Sequence, residues 1–478
     1  MRSGIFLLSA VAGSLLLAGC AAPDNIRAHN QPGTMTELAS GQSFSHLSAA
    51  AWPNEQWWSG FHDTQLNALI TEALKSNPDL QLANARLAQA EAGVDASDAL
   101  LEPVLGANAG LTRVRLSKLD DYRGVGHVYG TERNLGLSFN YSFDLWGGKR
   151  AAWEASVNNA KAAEVDRRAA DILLTGSIVR TYVQLANAYV MEDLAKKDLE
   201  RTGNMASITE RLLQNGLTSE DRLYTAQSAE ASARQVLKQR SLSVEQFKNT
   251  LAALLGAGPD RALTIARPTL TLDASLALPG NLPAELLSHR PDIVAAKWRV
   301  EAANKEIASA KTEFYPNLNL SAAAGVKSLV GDSFFGATSQ YGSVGPALSL
   351  PLYQSELKAN LKSKTADYDL AVAQYNQTLV KSLEEVNDKV LILKSIAGQI
   401  DDANQSVQLA EHSYQITENR YQAGMGSQLE VLMAEQQLLQ AESVASNLQA
   451  QQQDAKVQLI QSLGGGFSLP SNNEHQRG

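Results

Sequence analysis

The chain has almost no cysteine. A single Cys20 among 478 residues excludes a disulfide framework and any site built on several thiolates. No run after residue 20 reaches 18 apolar residues, so no helix there is expected to span a bilayer. A crossing would have to be a closed β-barrel. Basic excess is also missing. The formal net charge is -9 and the pI about 5.4, which argues against nucleic acid, whose binders carry a basic stripe. There is no HExxH, no GxGxxG after a strand, no P-loop and no GxSxG, the motifs that would mark zinc, dinucleotide, nucleotide or acyl-transfer chemistry. The seven histidines form no ligand spacing. The expectation is no enzyme, no catalytic residue, no metal and no cofactor, with any driving energy supplied by a partner. Gly464-Gly465-Gly466 reads as a helix terminator rather than a phosphate cradle.

Proline is absent between 104 and 258 and again between 352 and 469. Because proline breaks helix interiors, these are the places for very long helices. Residues 146–214 and 354–422 would each run roughly 100 Å at 1.5 Å per residue. Shorter helices are expected over 62–100, 219–255, 283–313 and 427–464. Stacked in pairs these match one long helix, which suits a cylinder wall of two continuous and two composite helices. Leu379, Leu383, Val386, Val390, Leu393, Ala397 and Ile400 step as a coiled-coil seam. The remaining faces, rich in Ala, Gln, Asn and Ser, can meet water.

Four stretches break the helical pattern. In NLGLSFNYSFDLW (134–146), Leu135, Leu137, Phe139, Tyr141, Phe143 and Leu145 alternate with Asn134, Gly136, Ser138, Asn140, Ser142 and Asp144. Such alternation is a strand with one apolar and one polar face. Leu105, Ala107, Ala109 and Leu111 mark another in 104–114. Leu318, Leu320, Ala322, Ala324 and Val326 mark a third. Val344, Pro346, Leu348, Leu350 and Leu352 mark a fourth. Each is long enough to cross a bilayer when tilted, and polar loops at 117–132 and 327–340 join the pairs. Two hairpins cannot close a barrel with a lumen, and edges open to lipid are forbidden. Several copies in a closed ring are therefore expected.

The chain also repeats itself. Asn77-Pro78-Asp79-Leu80 is echoed by Arg290-Pro291-Asp292-Ile293, and LAALLG (251–256) by LIQSLGG (459–465). RLLQNGLTSEDRLYTAQ (211–227) is echoed by RYQAGMGSQLEVLMAEQ (420–436). The period of about 210 residues is far longer than in solenoids. The expected organisation is a signal peptide over 1–19 and a tether over 20–60. A first repeat follows over 61–256 with its hairpin at 104–145, then a linker at 257–282. The second repeat covers 283–466 with its hairpin at 317–352, and 467–478 form a tail. Met1-Arg2 and the apolar run 5–17 read as a secretory signal, ending in Leu17-Ala18-Gly19-Cys20.

That ending resembles the bacterial lipobox. The resemblance implies a covalent lipid such as palmitate on Cys20 and, with Ala21 following, sorting to the outer membrane. WWSGFHDTQLNALITEALKSNPDLQLANARL (57–87), LLSHRPDIVAAKWRVEAANKEIASAKTEFYPNLNL (286–320) and the LGGG at 463–466 resemble the lipoprotein branch of the outer-membrane efflux factors, the channel component of tripartite drug pumps. The resemblance runs from about Trp57 to Gly466. It implies a mainly α chain with a transmembrane β-barrel, formed as a homotrimer with twelve strands in all and continued by a long periplasmic helical barrel. It also implies a periplasmic adaptor, an inner-membrane pump and outer-membrane lipid as partners. On it, Leu135, Leu137, Phe139, Tyr141, Phe143 and Leu145 face lipid, and the alternate polar residues face the lumen. Arg211, Gly216 and Leu217, with Arg420, Tyr421 and Gly424, form helix tips that meet the adaptor. Arg211 precedes its glycine by one residue more than Arg420 does. Asp221, Glu430 and Glu435 are candidates for an acidic periplasmic aperture. Two other readings stay open on the residues alone: a duct for protein secretion, and a coiled-coil spacer lipoprotein.

Overall fold

The computed structural model describes residues 23, 25–34, 38, 52–115, 129–270, 289–328 and 333–468. The expected signal peptide, Cys20, most of the expected tether, loop residues 116–128 and 329–332, residues 271–282 of the linker with 283–288 at the start of the second repeat, and the tail after 468 lie outside the described residues.

In chain order, a 3₁₀ turn at Trp57–Phe61 leads into α1 (Thr64–Ser76) and α2 (Pro78–Ala99). A hairpin follows, β1 (Val104–Arg115) and β2 (Tyr129–Ser142), then α3 (Gly148–Gln214) and α4 (Glu220–Leu254). The second half runs α5 (Pro291–Thr312), β3 (Asn317–Ser328), β4 (Gln340–Ser349), α6 (Ser355–Gln422) and α7 (Gln428–Ser462). The proline-free stretches hold α3 and α6, of 67 and 68 residues. Among the described residues no helix is long and apolar enough to cross a membrane.

The chain packs as two units, each drawing on both halves of the sequence. Of the described residues, those within 23–32, 86–164 and 295–376 form one unit and those within 33–85, 165–294 and 377–468 the other.

The first unit holds one antiparallel sheet in the order β1-β2-β3-β4. Leu105 pairs with Phe139, Ala107 with Leu137 and Ala109 with Leu135. Leu137 in turn pairs with Ala324, and Ala322 with Val344. The apolar positions of all four strands therefore share one face, since side chains alternate with period two. Ala310, Phe314 and Leu361 form a small core with Ile26, Ile307 and Leu357. The backbone N–H groups of His29 and Asn30 both donate to the Asp369 carboxylate at 2.9 Å.

The second unit holds the larger core. Leu66, Leu69, Ile70 and Ala73 of α1 pack with Ile178, Val179, Tyr182 and Leu185 of α3, Leu251 of α4 and Val457 of α7. Asp63 caps α1, accepting from the N–H groups of Gln65 at 2.9 Å and Leu66 at 3.1 Å. Such a cap satisfies N–H groups that lack helical partners. The buried Tyr182 hydroxyl donates to the same carboxylate at 2.9 Å.

The echoed tetrapeptides meet the echoed helix ends. Asn77 Nδ2 donates to the Leu254 carbonyl at the end of α4, at 2.8 Å, while its Oδ1 caps α2 through Asp79 and Leu80. In the second half Arg290 Nη1 donates to the Ser462 carbonyl at the end of α7, also at 2.8 Å. The glycine after each helix end approaches the partner backbone closely. A Cβ on Gly256 would lie 2.5 Å from the Ser76 oxygen, and one on Gly464 would lie 1.8 Å from the His289 oxygen.

Several expectations need correction. The helix expected over 62–100 is two helices. Pro78 cannot offer an N–H inside a helix, and Asn77 in extended backbone ends α1 and caps α2. Strand β2 starts at Tyr129 and ends at Ser142, so Phe143 and Leu145 lie beyond it. Asp144 does not point into a strand face either, because its carboxylate accepts from Lys149 N at 3.1 Å and Arg150 N at 2.9 Å at the start of α3. Strand β4 ends at Ser349, leaving Leu350 and Leu352 outside. The seam of α6 also differs. Leu379, Ser382, Val386, Ile396 and Ala403 are buried, whereas Leu383 and Val390 are half-buried and Ala397 is exposed. Ser382 can occupy the seam because its hydroxyl bonds back to the Leu379 carbonyl at 2.7 Å.

Candidate functional site: an open sheet and two helix tips

Among the described residues the sheet has two free edges, β1 and β4. No other described element covers its apolar face. Leu105, Leu111, Leu137, Val344 and Leu348 are 66–79% exposed. An apolar face this large is not left open to water without a role. The opposite face carries Asn108, Asn134, Ser138, Asn140, Ser321 and Ser343, paired across the strands. Near its hairpin end a Lys327–Glu132 pair at 3.0 Å lies on this polar face. Tyr341 belongs to it too, a residue the alternation alone had not singled out. A Cβ on Gly136 would lie 2.4 Å from the Tyr341 hydroxyl, and one on Gly325 would lie 3.0 Å from its ring. Glycines inside strands mark such close approaches, and that was the available signal. At the helix end of the sheet Trp146 Nε1 donates to the Pro316 carbonyl at 2.8 Å and stacks on Tyr315 at 4.8 Å.

The two helix tips have one geometry. Gly216 and Gly424 both take the left-handed conformation, φ +69 and +71. Leu217 N donates to Leu212 O and Met425 N to Arg420 O, each at 2.8 Å, while the glycine N–H groups donate to Leu213 and Tyr421 carbonyls at 2.9 Å. These are Schellman closures. They show that Leu212, rather than Arg211, stands where Arg420 stands. The offset is no insertion: Arg211 sits one residue earlier on the helix, roughly 100° around it. Arg211, Leu217, Arg420 and Tyr421 are all exposed, with Leu217 73% and Met425 67% exposed. Apolar residues this open at the tip of a turn form a ready contact surface.

Asp221, Glu430 and Glu435 are spread over two helices, and no hydrogen bond or ion pair joins any two of them. Asp221 and Glu430 are exposed in the first turns of α4 and α7, where carboxylates favour the helix dipole. The Ser219 hydroxyl donates to Asp221 and holds its carboxyl below the usual range. Glu435 is half-buried, and burial lifts its pKa, opposed by Arg201 and reinforced by Glu200 and Asp198. Arg201, which sequence reading passed over, is buried on α3. Its guanidinium holds Asp198 at 2.8 Å and reaches the Leu432 carbonyl of α7 at 3.4 Å. Nothing in the local sequence distinguishes it from its charged neighbours.

A raised carboxyl pKa means that the folded form favours the protonated acid. Its contribution to stability is present in full below the ordinary glutamate value of 4.5 and is lost as pH rises through the raised value. Wild type is therefore expected to lose thermal stability as pH rises across that window, whereas Glu435→Gln shows a flatter profile. Melting curves at a series of pH values check this, and identical profiles would refute it.

Comparison with known proteins agrees with this geometry. The family described as outer membrane efflux protein matches residues 69–257 and 282–465. The fusaric acid resistance protein FusA of Burkholderia cepacia is 32% identical over 370 residues, covering 76% of this chain and 70% of that protein. The multidrug resistance outer membrane protein MdtP of Shigella flexneri is 27% identical over 475 residues, covering 97% of each. The crystal structure of the outer membrane protein VceC from Vibrio cholerae superposes with a TM-score of 0.79 at 36% identity, covering 87% of this chain and 100% of that one. With the family matched in both halves and the fold shared along most of its length, the chain belongs to the outer membrane efflux protein family and is an efflux channel of the outer membrane.

Proposed function

We propose that the chain is a passive, gated exit duct of a tripartite efflux system. The observation that carries this reading is the sheet with two free edges, an uncovered apolar face and a polar face. Four strands are too few to enclose a lumen, and edges cannot face lipid. Three copies supply twelve strands and remove every edge. Leu135, Leu137, Phe139 and Tyr141 then meet lipid, and Asn134, Ser138 and Asn140 line water. The long helices continue the duct into the periplasm. Cys20 carries the lipid anchor, worth roughly 0.8 kcal/mol per buried CH₂. The chain needs no catalytic centre or cofactor for this role, since an inner-membrane pump supplies energy. The family match favours efflux over protein secretion, and the amphipathic sheet favours a duct over a coiled-coil spacer.

Arg211, Gly216 and Leu217 at one tip, with Arg420, Tyr421 and Gly424 at the other, form the surface for a periplasmic adaptor. Leu217→Asp combined with Met425→Asp is expected to lower cellular efflux at least tenfold while leaving the mass of the assembly unchanged. Equal efflux in the pair would remove the tips from the contact. Asp221, Glu430 and Glu435 ring the closed aperture, which favours cations. Opening separates the tip helices, a two-state change biased by adaptor contacts.

The test of the duct is mass in detergent together with planar-bilayer conductance. A trimer with small, cation-preferring conductance, larger in Asp221→Ala and Glu430→Ala, is the expected result. A monomer without conductance would overturn the reading.

A further inference from the structure

The outward face of the first hairpin is apolar for only part of its length. Leu105, Ala107, Ala109 and Leu111 of β1 share it with Phe139, Leu137 and Leu135 of β2, and the next positions on the same face are Arg133, opposite Leu111, then Arg113 and Arg115, opposite Thr131 and Tyr129. From Leu105 to Leu111 the apolar run is about 20 Å along the strand at ~3.4 Å per residue. The three arginines therefore begin where an apolar band ends. They lie at the hairpin end of the sheet, away from α2 and α3, which join the strands at the other end.

All three guanidinium-bearing residues are exposed. Among the described residues none has an ion-pair partner, and no acidic side chain shares their face in the paired rungs. Arg115 lies over the Tyr129 ring at 5.7 Å, a contact that orients a guanidinium and leaves it cationic. The polar face at the same level behaves differently, pairing its Lys327 with Glu132. Like charges two positions apart on one strand repel, so three arginines on one face, without an ion-pair partner among the described residues, cost stability unless an anion lies among them. Arginine's planar fork binds phosphate oxygens in pairs. On a lipid-facing surface, arginine is tolerated near the interface and strongly disfavoured at the midplane. All of this fits a single depth: the headgroup level of the outer leaflet.

We propose that Arg113, Arg115 and Arg133 form a binding site on each protomer for the phosphate groups of an anionic lipid in the outer leaflet, whose acyl chains lie along Leu111, Leu135 and Leu137. The inference rests on the barrel reading above for its orientation in the membrane. The β3–β4 hairpin offers no counterpart, since its corresponding outward rung is Val326 with Gln340. Among the described residues the site thus belongs to the first hairpin alone and would occur three times around the ring.

The experiment uses the purified full-length protein in a neutral detergent, with bisphosphoryl lipid A as probe, read by native mass spectrometry. Dephosphorylated lipid A and inorganic phosphate are the controls, and trimer mass is recorded in the same spectra. Wild type is expected to retain bisphosphoryl lipid A at least tenfold more tightly than the Arg113→Gln/Arg115→Gln/Arg133→Gln variant. Lys327→Gln, on the other face at the same level, should match wild type, and dephosphorylated lipid A should bind wild type as weakly as the triple variant binds the intact lipid. Equal retention by wild type and triple variant overturns the site, as does equal loss in Lys327→Gln. Displacement of the lipid by millimolar inorganic phosphate overturns the lipid assignment in favour of a plain anion site. Should the triple variant fail to assemble, Arg133→Gln alone is expected to bind about threefold more weakly, and unchanged binding there overturns the site. A wild-type protein without trimer mass counts against the barrel reading, whereas a trimer whose lipid retention ignores the arginines counts against this inference alone.

Discussion

Gly464→Ala is expected to cost about 2–5 kcal/mol and to prevent or severely weaken assembly. Two terms add. The residue takes φ +97, a region where side chains other than glycine pay about 1–2 kcal/mol. The added Cβ would also lie 1.8 Å from the His289 carbonyl oxygen. That neighbour is backbone, directly before Arg290 and α5, so it cannot swing aside as the end of a flexible side chain could, and overpacking of this kind costs about 1–3 kcal/mol. Gly256, φ +72, holds the corresponding place in the first half, with Ser76 oxygen at 2.5 Å, and its alanine variant should behave similarly. Gly203, inside α3 with nothing within 4 Å of an added methyl, is the control. There alanine is expected to be neutral or stabilising by up to about 1 kcal/mol. The check is the temperature at which the purified assembly dissociates. Equal melting of Gly464→Ala and wild type would show that the helix end relaxes freely.

Arg290→Ala should be the next most damaging change, at about 3 kcal/mol. Arg290 is 7% exposed. Its Nη1 satisfies the Ser462 carbonyl, and the rest of its fork holds Asp292 at 2.7 Å and Glu385 at 2.8 Å. Truncation leaves a buried carbonyl without its donor and two carboxylates without their cation. Removing one side of such a buried arrangement costs far more than the arrangement contributed. Asp292 and Glu385 are themselves 44% and 52% exposed at the side chain, so water can take over much of their share. The lost carbonyl bond therefore dominates the cost. That ranking has its own test. Arg290→Asn imitates Asn77, which performs the same task toward Leu254 with an amide, and it should recover part of the loss. Denaturant midpoints of the three proteins decide it. If asparagine is no better than alanine, the two carboxylates matter more than the carbonyl.

Much of the fold was legible in the sequence because it depends on local rules. Proline-free runs predicted α3 and α6 to within two residues at each end, since proline is the strongest single bar to a helix interior. Alternation predicted four strands, each with one apolar face, because side chains in a strand must alternate, and the register brings Leu105, Leu137, Leu320 and Val344 to the same side. The paired glycines marked both helix tips, because a tight helix end needs a left-handed residue. The resemblance carried by the tryptophan-rich start and the Arg-Pro-Asp stretch pointed to the same family as the comparison.

What escaped the sequence depended on partners far along the chain. Strand β2 ends at Ser142 although the alternation continues to Leu145, because Asp144 is used to cap α3. Alternation records polarity and cannot tell a strand residue from a cap. Ser382 replaces Leu383 in the seam of α6, because a serine that bonds to its own helix hides its polarity. Leu212, not Arg211, matches Arg420, because equivalence at a tip is set by which carbonyl closes the turn. Arg201 and Tyr341 became visible only through the Leu432 carbonyl and the glycines they approach. By itself the sequence determined the elements, their amphipathic faces and the duplication, all fixed by interactions within a few residues. The tertiary structure decided the register of the sheet, the clamps at Leu254 and Ser462, and the gathering of Arg113, Arg115 and Arg133 on the side of the sheet that carries Leu111 and Leu137. Each of these requires residues distant in sequence or on neighbouring strands to meet, and no local pattern encodes such a meeting.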